Sequence, residues 1–301
     1  MRVLLRFRSG FAGLREGFEA LGHEVVDEPA AADLCVADFV DCARRIRDTL
    51  ALKRRLAARG TPFVALSRDA PWHRGVSRNR LLALALLKPF DGYAAHSMQE
   101  GGRFARRTLY CPNAARESLY RASAAELAAM REAAWYRWDV SFLGNVDTRR
   151  YPEHRKRAAF LAALRERLAP LGVSALIRDA AGLSEPEQLD IIRRSRINLS
   201  TFVAADAGAE PCWGLPERCY GVPACGGLLL SDRRKHAPED FAADEWADYD
   251  GIEHCVARIR EFLKSPASAR ALAERAHARV MREHCYRHRA ARLVDFAANA
   301  R

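Results

Sequence analysis

The sequence has no apolar stretch long enough to cross a membrane. Its longest uninterrupted apolar run spans residues 81–87 and ends at Lys88, far short of the roughly 20 residues that a transmembrane helix needs. The first ten residues, MRVLLRFRSG, hold an apolar stretch that is too short and too interrupted by arginine for a signal peptide. We therefore expect a cytoplasmic protein.

Cysteine patterns of disulfide or metal chemistry are also missing. The eight cysteines form no Cys-x-x-Cys pair, and without an export signal we expect them to be reduced thiols. The segment HCYRH (284–288) offers cysteine and histidine at helical spacing, but no nearby residues complete a tetrahedral set. No metal site is expected.

Acidic residues are outnumbered, with 38 Asp and Glu against 49 Lys and Arg, which gives a net charge of +11. This surplus favours anionic partners, namely nucleic acid, an anionic membrane face or phosphorylated small molecules. The 49% apolar and 29% charged residues are ordinary for a soluble globular protein. Charge alone does not choose among these partners.

Short apolar runs alternate with helical patterns in both halves of the chain. RVLLRF (2–7), TPFVALSRD (61–69) and DVSFLGN (139–145) are examples of the apolar runs. Such alternation predicts parallel sheets covered by helices on both faces, and 301 residues exceed the usual size of one core. The sequence thus predicts two open α/β domains, with ligands at the strand carboxyl ends in a cleft between them.

Several helices are predicted with definite limits. One covers residues 42–60, one covers 98–108, one begins near Leu215 and Pro216, and a long final helix runs from Ser268 onward. Ser184 and Glu187 have capping-box spacing. The pair Gly226 and Gly227 is expected to close the helix before the apolar run 228–230, because glycine tolerates the positive φ of such a turn.

Two distant segments carry a family resemblance. ERCYGVPACGGLLLSDRR (217–234) and HCYRHR (284–289) resemble the carboxyl-terminal half of group 1 glycosyltransferases of the spore-maturation-protein-like branch. SFLGNVDTRR (141–150) resembles the loop that opens their nucleotide-binding domain, and LYCPNAA (109–115) resembles the segment that closes their first domain.

This resemblance implies a GT-B fold, in which two Rossmann-like domains have parallel sheets facing across a cleft. The second domain would hold most of the nucleotide sugar, and the first would hold the acceptor. We expect an acceptor-side domain over residues 1–117 and a nucleotide-sugar-binding domain over 118–285. The last segment, 286–301, is expected to be a helix that packs back on the first domain.

The chain departs from the family at two carboxylates. The usual glutamate, assigned to the ribose hydroxyls, is replaced by Gly221, and a second glutamate of the wider class is replaced by Trp213. Glu217 and Glu210 remain as candidate substitutes. Trp213 could stack on a base or sugar, or simply pack within its loop, and the stereochemical outcome stays open.

Glycosyl transfer requires stabilisation of the leaving diphosphate and exclusion of water. The resemblance implies an enzyme without metal or cofactor, in which a helix N-terminus and arginine side chains hold the diphosphate. The predicted donor-binding residues are Gly144, Asn145, Arg149, Arg150, Trp213, Glu217, Arg218, Tyr220 and Gly226.

Direct attack by an acceptor hydroxyl also requires a base, which we expect at a strand end of the first domain. Asp69 is the first choice, and His73 and His96 are the others. A turn carboxylate and hydrogen-bonded histidines are the structural alternatives. Gly10 and Gly13 are predicted to shape the acceptor side, and they lack the full dinucleotide-binding fingerprint.

The predicted function is transfer of a sugar from a nucleoside-diphosphate donor to a saccharide or lipid-linked acceptor. Peripheral contact with an anionic membrane is left open. One alternative is a nucleotide-sugar 2-epimerase of the same fold. Another is a non-catalytic nucleic-acid-binding protein, which would need aromatic-studded basic patches or a known module. The sequence has neither, so no nucleic-acid partner is expected.

Overall fold

Two parallel sheets organise the chain, as the alternating pattern predicts. The structure is a computed structural model, and it describes residues 1–7, 11–68, 76–98, 101–149, 154–201 and 212–299. The chain divides into two units, one formed by Met1–Ala114 with Cys285–Arg301 and the other by Ala115–His284. No helix in these described ranges is both long and apolar enough to span a bilayer.

The first unit contains a six-stranded sheet in the order β2-β1-β3-β4-β5-β6, with every neighbouring pair parallel. Its strands are β1 (Arg2–Arg6), β2 (Glu24–Val26), β3 (Leu34–Asp38), β4 (Phe63–Ser67), β5 (Gly92–Ala95) and β6 (Thr108–Tyr110). Its helices are α1 (Ala12–Glu19), α2 (Phe39–Arg44), α3 (Ile46–Ala57), α4 (Arg78–Leu87) and, from the chain end, α13 (Tyr286–Ala298).

The second unit contains a five-stranded parallel sheet in the order β11-β10-β9-β7-β8. Its strands are β7 (Trp138–Leu143), β8 (Ala175–Arg178), β9 (Ser195–Ser200), β10 (Leu229–Asp232) and β11 (Asp248–Tyr249). Its helices are α5 (Glu117–Tyr120), α6 (Ala124–Ala129), α7 (Arg155–Leu168), α8 (Glu185–Arg193), α9 (Arg218–Ala224), α10 (Ala237–Asp240), α11 (Gly251–Lys264) and α12 (Pro266–Glu283).

Both sheets reverse their strand order at the same place. The second strand of each unit lies outside the first, and the third strand lies on its other side. The reversal falls between β1 and β3 in one sheet and between β7 and β9 in the other. In open α/β sheets, ligands bind outside the carboxyl ends of the strands at such a point, so each unit has one place where a site is expected.

Helices cover both faces of the first sheet, which explains its continuous apolar strands. Along β4, Phe63 and Ala65 pack into one apolar cluster, while Val64 and Leu66 pack into another. All five residues of β4 are buried. The alternation of side chains across a strand therefore supplies two separate cores from one short segment.

Helix α13 approaches α1 unusually closely, and two glycines permit it. A Cβ atom at Gly17 would lie 2.5 Å from the carbonyl oxygen of Tyr286, and one at Gly13 would overlap the Tyr286 ring. The buried Arg289 then donates to the carbonyls of Pro112 and Asn113 at 3.0 Å. Parts of the two motif segments, residues 112–113 and Arg289, are thus in direct contact within the first unit.

The continuous final helix predicted from Ser268 onward is wrong, because α12 ends at Glu283. The carbonyl oxygen of His284 accepts the Ala115 N–H at 2.9 Å. Cys285 then begins α13 as its N-cap, and its own N–H donates to the His288 ring at 3.0 Å. Long-range and capping contacts interrupt the helix at a place where the apolar periodicity continues.

Two other helix predictions also need correction. The helix predicted over 42–60 is divided at Arg45, whose φ of −129° and ψ of 58° are not helical. The Thr49 hydroxyl lies 2.9 Å from the Cys42 carbonyl oxygen across this break. The helix predicted over 98–108 is absent from the described residues, which form only a 3-10 turn at Gly101–Arg103. Each glycine there costs about 1 kcal/mol of helix stability relative to alanine.

Local turn chemistry was predicted correctly. Ser184 and Glu187 form the expected capping box at the start of α8. Gly226 follows α9 with a φ of 78°, as expected of a helix-closing glycine. Helix α9 begins at Arg218, two residues after the predicted start, because the N–H of Cys219 first closes a turn onto the Pro216 carbonyl. All eight cysteines are free thiols.

Candidate functional site

Three arginines meet at the carboxyl ends of β7, β9 and β10. Arg157 is on α7, Arg218 begins α9, and Arg234 follows β10. The guanidinium groups of Arg157 and Arg218 lie 5.8 and 5.0 Å from the centre of the Phe142 ring. Asp232 is the carboxylate beside them, so the cluster carries excess positive charge at the reversal point of the second sheet.

Arg157 holds two loops together. Its Nε donates to the Thr201 carbonyl at 3.1 Å, and its Nη1 donates to the Asn145 carbonyl at 2.9 Å. Burial lowers the pKa of Arg157 to about 10, and the charge of Arg218 acts in the same direction. The side chain therefore ties the loop after β7 to the end of β9 while adding charge to the site.

Arg234 is occupied by an ion pair. Its Nη2 lies 2.8 and 3.0 Å from the two carboxylate oxygens of Asp232, and its Nη1 donates to the Gly214 carbonyl at 2.7 Å. Its side chain is fully buried. This arrangement fixes the segment that leads into α9 against the end of β10.

Arg218 differs from the other two arginines. Among the residues that the structure describes, none forms a hydrogen bond or ion pair with its guanidinium group. Burial lowers the pKa of Arg218, and repulsion from Arg234 contributes to the decrease. A half-buried cation that is repelled by its neighbours is stabilised by an anionic ligand.

Gly144 provides the space in which the Arg218 side chain lies. A Cβ atom at position 144 would be 2.6 Å from Arg218 Nη2 and 3.0 Å from the Phe142 ring. The following loop is ordered by its own polar groups, because the Asn145 side chain accepts the Asp147 N–H at 2.9 Å. The Arg149 N–H donates to the Asp147 carboxylate at 2.9 Å, and the Arg149 side chain is exposed.

A cavity of about 270 Å³ adjoins Arg218 between the ends of β7, β8 and β9. Glu217 lines it and receives a hydrogen bond from the Tyr120 hydroxyl at 3.4 Å. A Cβ atom at Gly221 would lie only 3.0 Å from the Tyr120 ring. Tyr120 thus occupies the space of a side chain at 221, and Glu217, one helical turn earlier, is the carboxylate of this cavity.

The start of α9 offers fewer free amides than the sequence suggests. The N–H groups of Tyr220 and Gly221 donate to the Glu217 carbonyl at 2.9 and 2.8 Å, and that of Cys219 donates to the Pro216 carbonyl. These bonds close the first turn on itself. Positive charge at this site therefore comes chiefly from arginine side chains.

Three of the predicted donor-binding residues have structural contacts. Tyr220 is completely buried, and its hydroxyl donates to Asp240 at 2.6 Å. A Cβ atom at Gly226 would lie 2.5 Å from Leu127. Trp213 packs under Lys235, whose Nζ is 4.2 Å from the ring centre. Arg150 lies outside the described residues.

The HCYRH segment is used for capping. His284 Nε2 lies 2.8 Å from the Asp240 carbonyl oxygen, and His288 accepts the Cys285 N–H. Within the described ranges, no three His, Cys, Asp or Glu side chains come together as metal ligands.

In the first unit, three of the predicted residues, Gly10, Asp69 and His73, lie outside the described residues. Gly13 lies against Tyr286, so its contact is with a neighbouring helix. His96 is buried directly after β5, and its N–H donates to the Ser67 carbonyl at 3.0 Å.

Asp38 is a carboxylate that the sequence reasoning missed. It ends β3 at the reversal point of the first sheet, caps α2 through the Asp41 N–H at 2.9 Å, and lies 3.9 Å from Arg68. Burial raises the pKa of Asp38 despite these contacts. A polar cavity of about 280 Å³ adjoins the same strand ends. The position of Asp38 at the end of an apolar run is the sequence signal that could have identified it.

A larger cavity, of about 430 Å³, lies near the amino ends of β9 and β10, and its lining includes Ile197, Leu228 and Phe262. It is at the opposite end of the strands from the arginine cluster. The arginine cluster therefore places the candidate site at the carboxyl ends, in the smaller cavity.

The fold is shared with solved glycosyltransferase structures. A sucrose-phosphate synthase from Thermosynechococcus elongatus aligns over 99% of this chain and 98% of its own, with a TM-score of 0.64 and 12% identity. HepE from Anabaena, in complex with UDP and glucose, aligns over 99% and 100%, with a TM-score of 0.66 and 12% identity. An α-glucosyltransferase in complex with UDP and a 13-mer DNA aligns over 99% of both chains, with a TM-score of 0.62 and 12% identity. The fold is GT-B, as predicted.

The sequence profile of the family described as glycosyl transferase-like matches residues 116–295, more than half of the 301 residues. The chain therefore belongs to the glycosyl transferase-like family. No curated protein sequence matches it at a significant level. The spore-maturation-protein-like branch is a narrower assignment and stays a prediction.

Proposed function

We propose that the protein is a glycosyltransferase that uses a nucleoside-diphosphate sugar, with the donor diphosphate bound by Arg218 beside Gly144. The observation that carries the proposal is the Arg218 guanidinium, which has no pairing partner among the described residues and lies at the reversal point of the second sheet. Its planar group can bind two phosphate oxygens at once. Gly144 leaves the space that this guanidinium group occupies.

The arginine cluster supplies the charge that the reaction needs. As the bond between sugar and diphosphate breaks, negative charge grows on the leaving group, and positive groups already in place stabilise it. Arg157 and Arg234 keep their positions through the bonds to Asn145, Thr201 and Asp232. The charge in this proposal comes from arginine, so neither a metal ion nor a cofactor is invoked.

We place the nucleoside in the cavity lined by Tyr120 and Glu217. A carboxylate can accept hydrogen bonds from both ribose hydroxyls, and Glu217 takes the role that the family gives to the residue at Gly221. The 3.4 Å hydrogen bond from the Tyr120 hydroxyl orients this carboxylate. Asn145 and Arg149 remain further candidates on the loop after β7.

We place the acceptor, a saccharide or a lipid-linked saccharide, in the first unit. Its base would come from a strand end, with Asp69, His73 and His96 as the predicted candidates and Asp38 as the one added by the structure. Because burial raises the pKa of Asp38, its carboxylate is a stronger base than that of an ordinary aspartate. Single Asn or Gln substitutions followed by turnover assays would rank these four residues.

Uridine nucleotides are the first ligands to test, because two structural neighbours were solved with UDP. Thermal unfolding would be followed at fixed salt with UDP, GDP, TDP, CMP and NAD. A ligand at a hundred times its dissociation constant stabilises a fold by about 2.7 kcal/mol. We expect one nucleoside diphosphate to stand out and NAD to have no effect.

A flat response to all five ligands would contradict the proposed donor site. Once a donor is identified, the epimerase alternative is tested by incubating it without acceptor. Conversion of the sugar to its 2-epimer would then replace transfer as the function. Binding of any DNA or RNA with a steep salt dependence would instead favour the nucleic-acid alternative.

A further inference from the structure

Helix α4 exposes apolar side chains to an unusual extent. Leu86, Leu82 and Leu87 are 76%, 58% and 54% exposed, and they are the three most exposed large apolar side chains in the described part of the chain. On the other side of the same helix, Leu81 and Leu84 are buried in the first unit. A helix that is apolar all round is normally covered on every side.

These exposed positions form one continuous surface. At 100° per residue, Leu82, Ala83, Leu86 and Leu87 fall within an arc of about 140°. We call this surface the leucine face. It points away from the side that Leu81 and Leu84 bury, so it contributes nothing to the core of the unit.

Positive charges flank the leucine face at both ends. Arg78 and Arg80 are exposed in the first turn, and Lys88 is exposed directly after the last. Residues 76–90 contain no Asp or Glu. Leucines on one side of a helix with basic residues at their margin have the composition of helices that lie in the interface of an anionic bilayer.

We propose that the leucine face of α4 is a membrane-docking surface that inserts into the interface of an anionic bilayer. The leucines enter the boundary between headgroups and acyl chains, while Arg78, Arg80 and Lys88 contact lipid phosphates. The net charge of +11 attracts the whole molecule to the same surface. The inference does not depend on the donor chemistry.

A second copy of the chain is a poorer occupant of this surface. A two-fold interface brings a surface against a second copy of itself, so the basic residues Arg78, Arg80 and Lys88 would be brought together with basic residues of the second copy. The helix has 10 residues, so one face of it, about 15 Å long and about 10 Å wide, covers on the order of 150 Å². A stable interface buries roughly 800 Å² per partner. Bilayer phosphates complement the charges that a second copy would repel.

The test is sedimentation of the full chain with vesicles. One vesicle type contains equal parts of phosphatidylglycerol and phosphatidylcholine, and the other contains phosphatidylcholine alone. We expect binding to the anionic vesicles, weakened by salt. The double variant Leu86→Ser/Leu87→Ser should lower the partition coefficient by about tenfold or more, and Arg78→Gln/Arg80→Gln should lower it by a similar factor.

Leu171→Ser is the matched control, because Leu171 is an exposed leucine (43%) of the second unit; it should bind vesicles as the unsubstituted protein does. The thermal midpoint and the nucleotide response of the leucine double variant should be unchanged, which separates this inference from the proposed function. Absence of binding to anionic vesicles would overturn the inference, as would unchanged binding by the double variant. A lipid-free dimer that the double variant dissociates would assign the leucine face to self-association instead.

Discussion

Arg218, the central residue of the proposed donor site, is held in place without a carboxylate partner among the described residues. Its neighbours Arg157 and Arg234 each donate hydrogen bonds to protein acceptors, and Arg234 holds Asp232 through three hydrogen bonds. The Arg218 guanidinium rests on the Phe142 ring, which provides a cation–π contact and leaves the N–H groups for other partners. Under the proposed function, the donor diphosphate supplies the anionic partner of this guanidinium group.

At the residue scale, we predict that Arg218→Gln weakens nucleotide binding through the phosphates. A hydrogen bond to a charged group contributes about 1.5–3 kcal/mol, so affinity for the nucleoside diphosphate should fall about 10- to 100-fold. Affinity for the corresponding nucleoside should hardly change. Isothermal titration with UDP and uridine, or with the pair that the ligand panel selects, measures both.

Arg167→Gln is the control for this prediction, because Arg167 also lies on the second unit and pairs with Glu253 at 2.9 Å on the exposed surface. It should bind both ligands as the unsubstituted protein does. Equal losses for nucleoside and diphosphate in Arg218→Gln would mean that the side chain supports the cavity and does not contact phosphate.

At the scale of secondary-structure elements, the close contact between α1 and α13 depends on two glycines. Gly13 and Gly17 lie one turn apart on α1, and together they remove the side chains that would separate the two helices. Phe11 packs edge-on against Tyr286 with ring centres 5.0 Å apart. The glycines therefore permit the two helices to approach closely, and the aromatic residues supply buried apolar area between them.

We predict that Gly17→Ala destabilises the first unit by about 1–3 kcal/mol, since overpacking forces backbone shifts of this cost. The added Cβ would lie 2.5 Å from backbone atoms of Tyr286, which cannot move as a side-chain end could. Thermal or urea unfolding measures the change. Gly102→Ala is the control, because a Cβ there meets nothing within 4 Å; equal effects of the two substitutions would argue against a packing cause.

At the scale of the whole molecule, the chain leaves the first unit at Ala114 and returns to it at Cys285. Tyr286, Ala290 and Leu293 of α13 join the apolar cluster that contains strand residues Val3 and Val36. Helix α13, at the end of the sequence, thus completes the apolar core of the first unit. Formation of that core requires contacts between residues from opposite ends of the chain. Closing so long a loop is entropically costly.

We predict that a chain ending at His284 loses the cooperative unfolding of its first unit. Full burial of a side chain such as Tyr286 or Leu293 contributes about 1.5–3 kcal/mol each, and whole domains are stable by only about 5–15 kcal/mol. Calorimetry should show that the unfolding transition of this unit is lost. Limited proteolysis should show early cleavage within residues 1–114. The nucleotide response of the second unit should survive.

Leu293→Ala provides a milder version of the same test, with an expected cost of about 2–5 kcal/mol from a cavity in a buried cluster. An unchanged transition of the first unit in the truncated chain would contradict the role of α13 in its core. Loss of the nucleotide response would show instead that the two units depend on one another.

Much of the fold was predictable because its signals are local. Alternating apolar runs predicted the parallel sheets, the Ser184–Glu187 spacing predicted a capping box, and Gly226 predicted a turn with positive φ. Each depends on residues within a few positions of one another. The family resemblance placed a boundary after residue 285, but the apolar periodicity did not predict the interruption at His284, because a hydrogen bond to Ala115, far away in the chain, contributes to it.

The sequence by itself determined the fold class, the family and the loop that carries Gly144, since these depend on short patterns and motifs. Only the tertiary structure decided which arginines are free to bind a ligand, because pairing depends on residues brought together from separate strands. It assigned Tyr220 to the core and placed Tyr120 over Gly221. Local periodicity dictates which elements form, and packing between elements dictates which side chains remain available for chemistry.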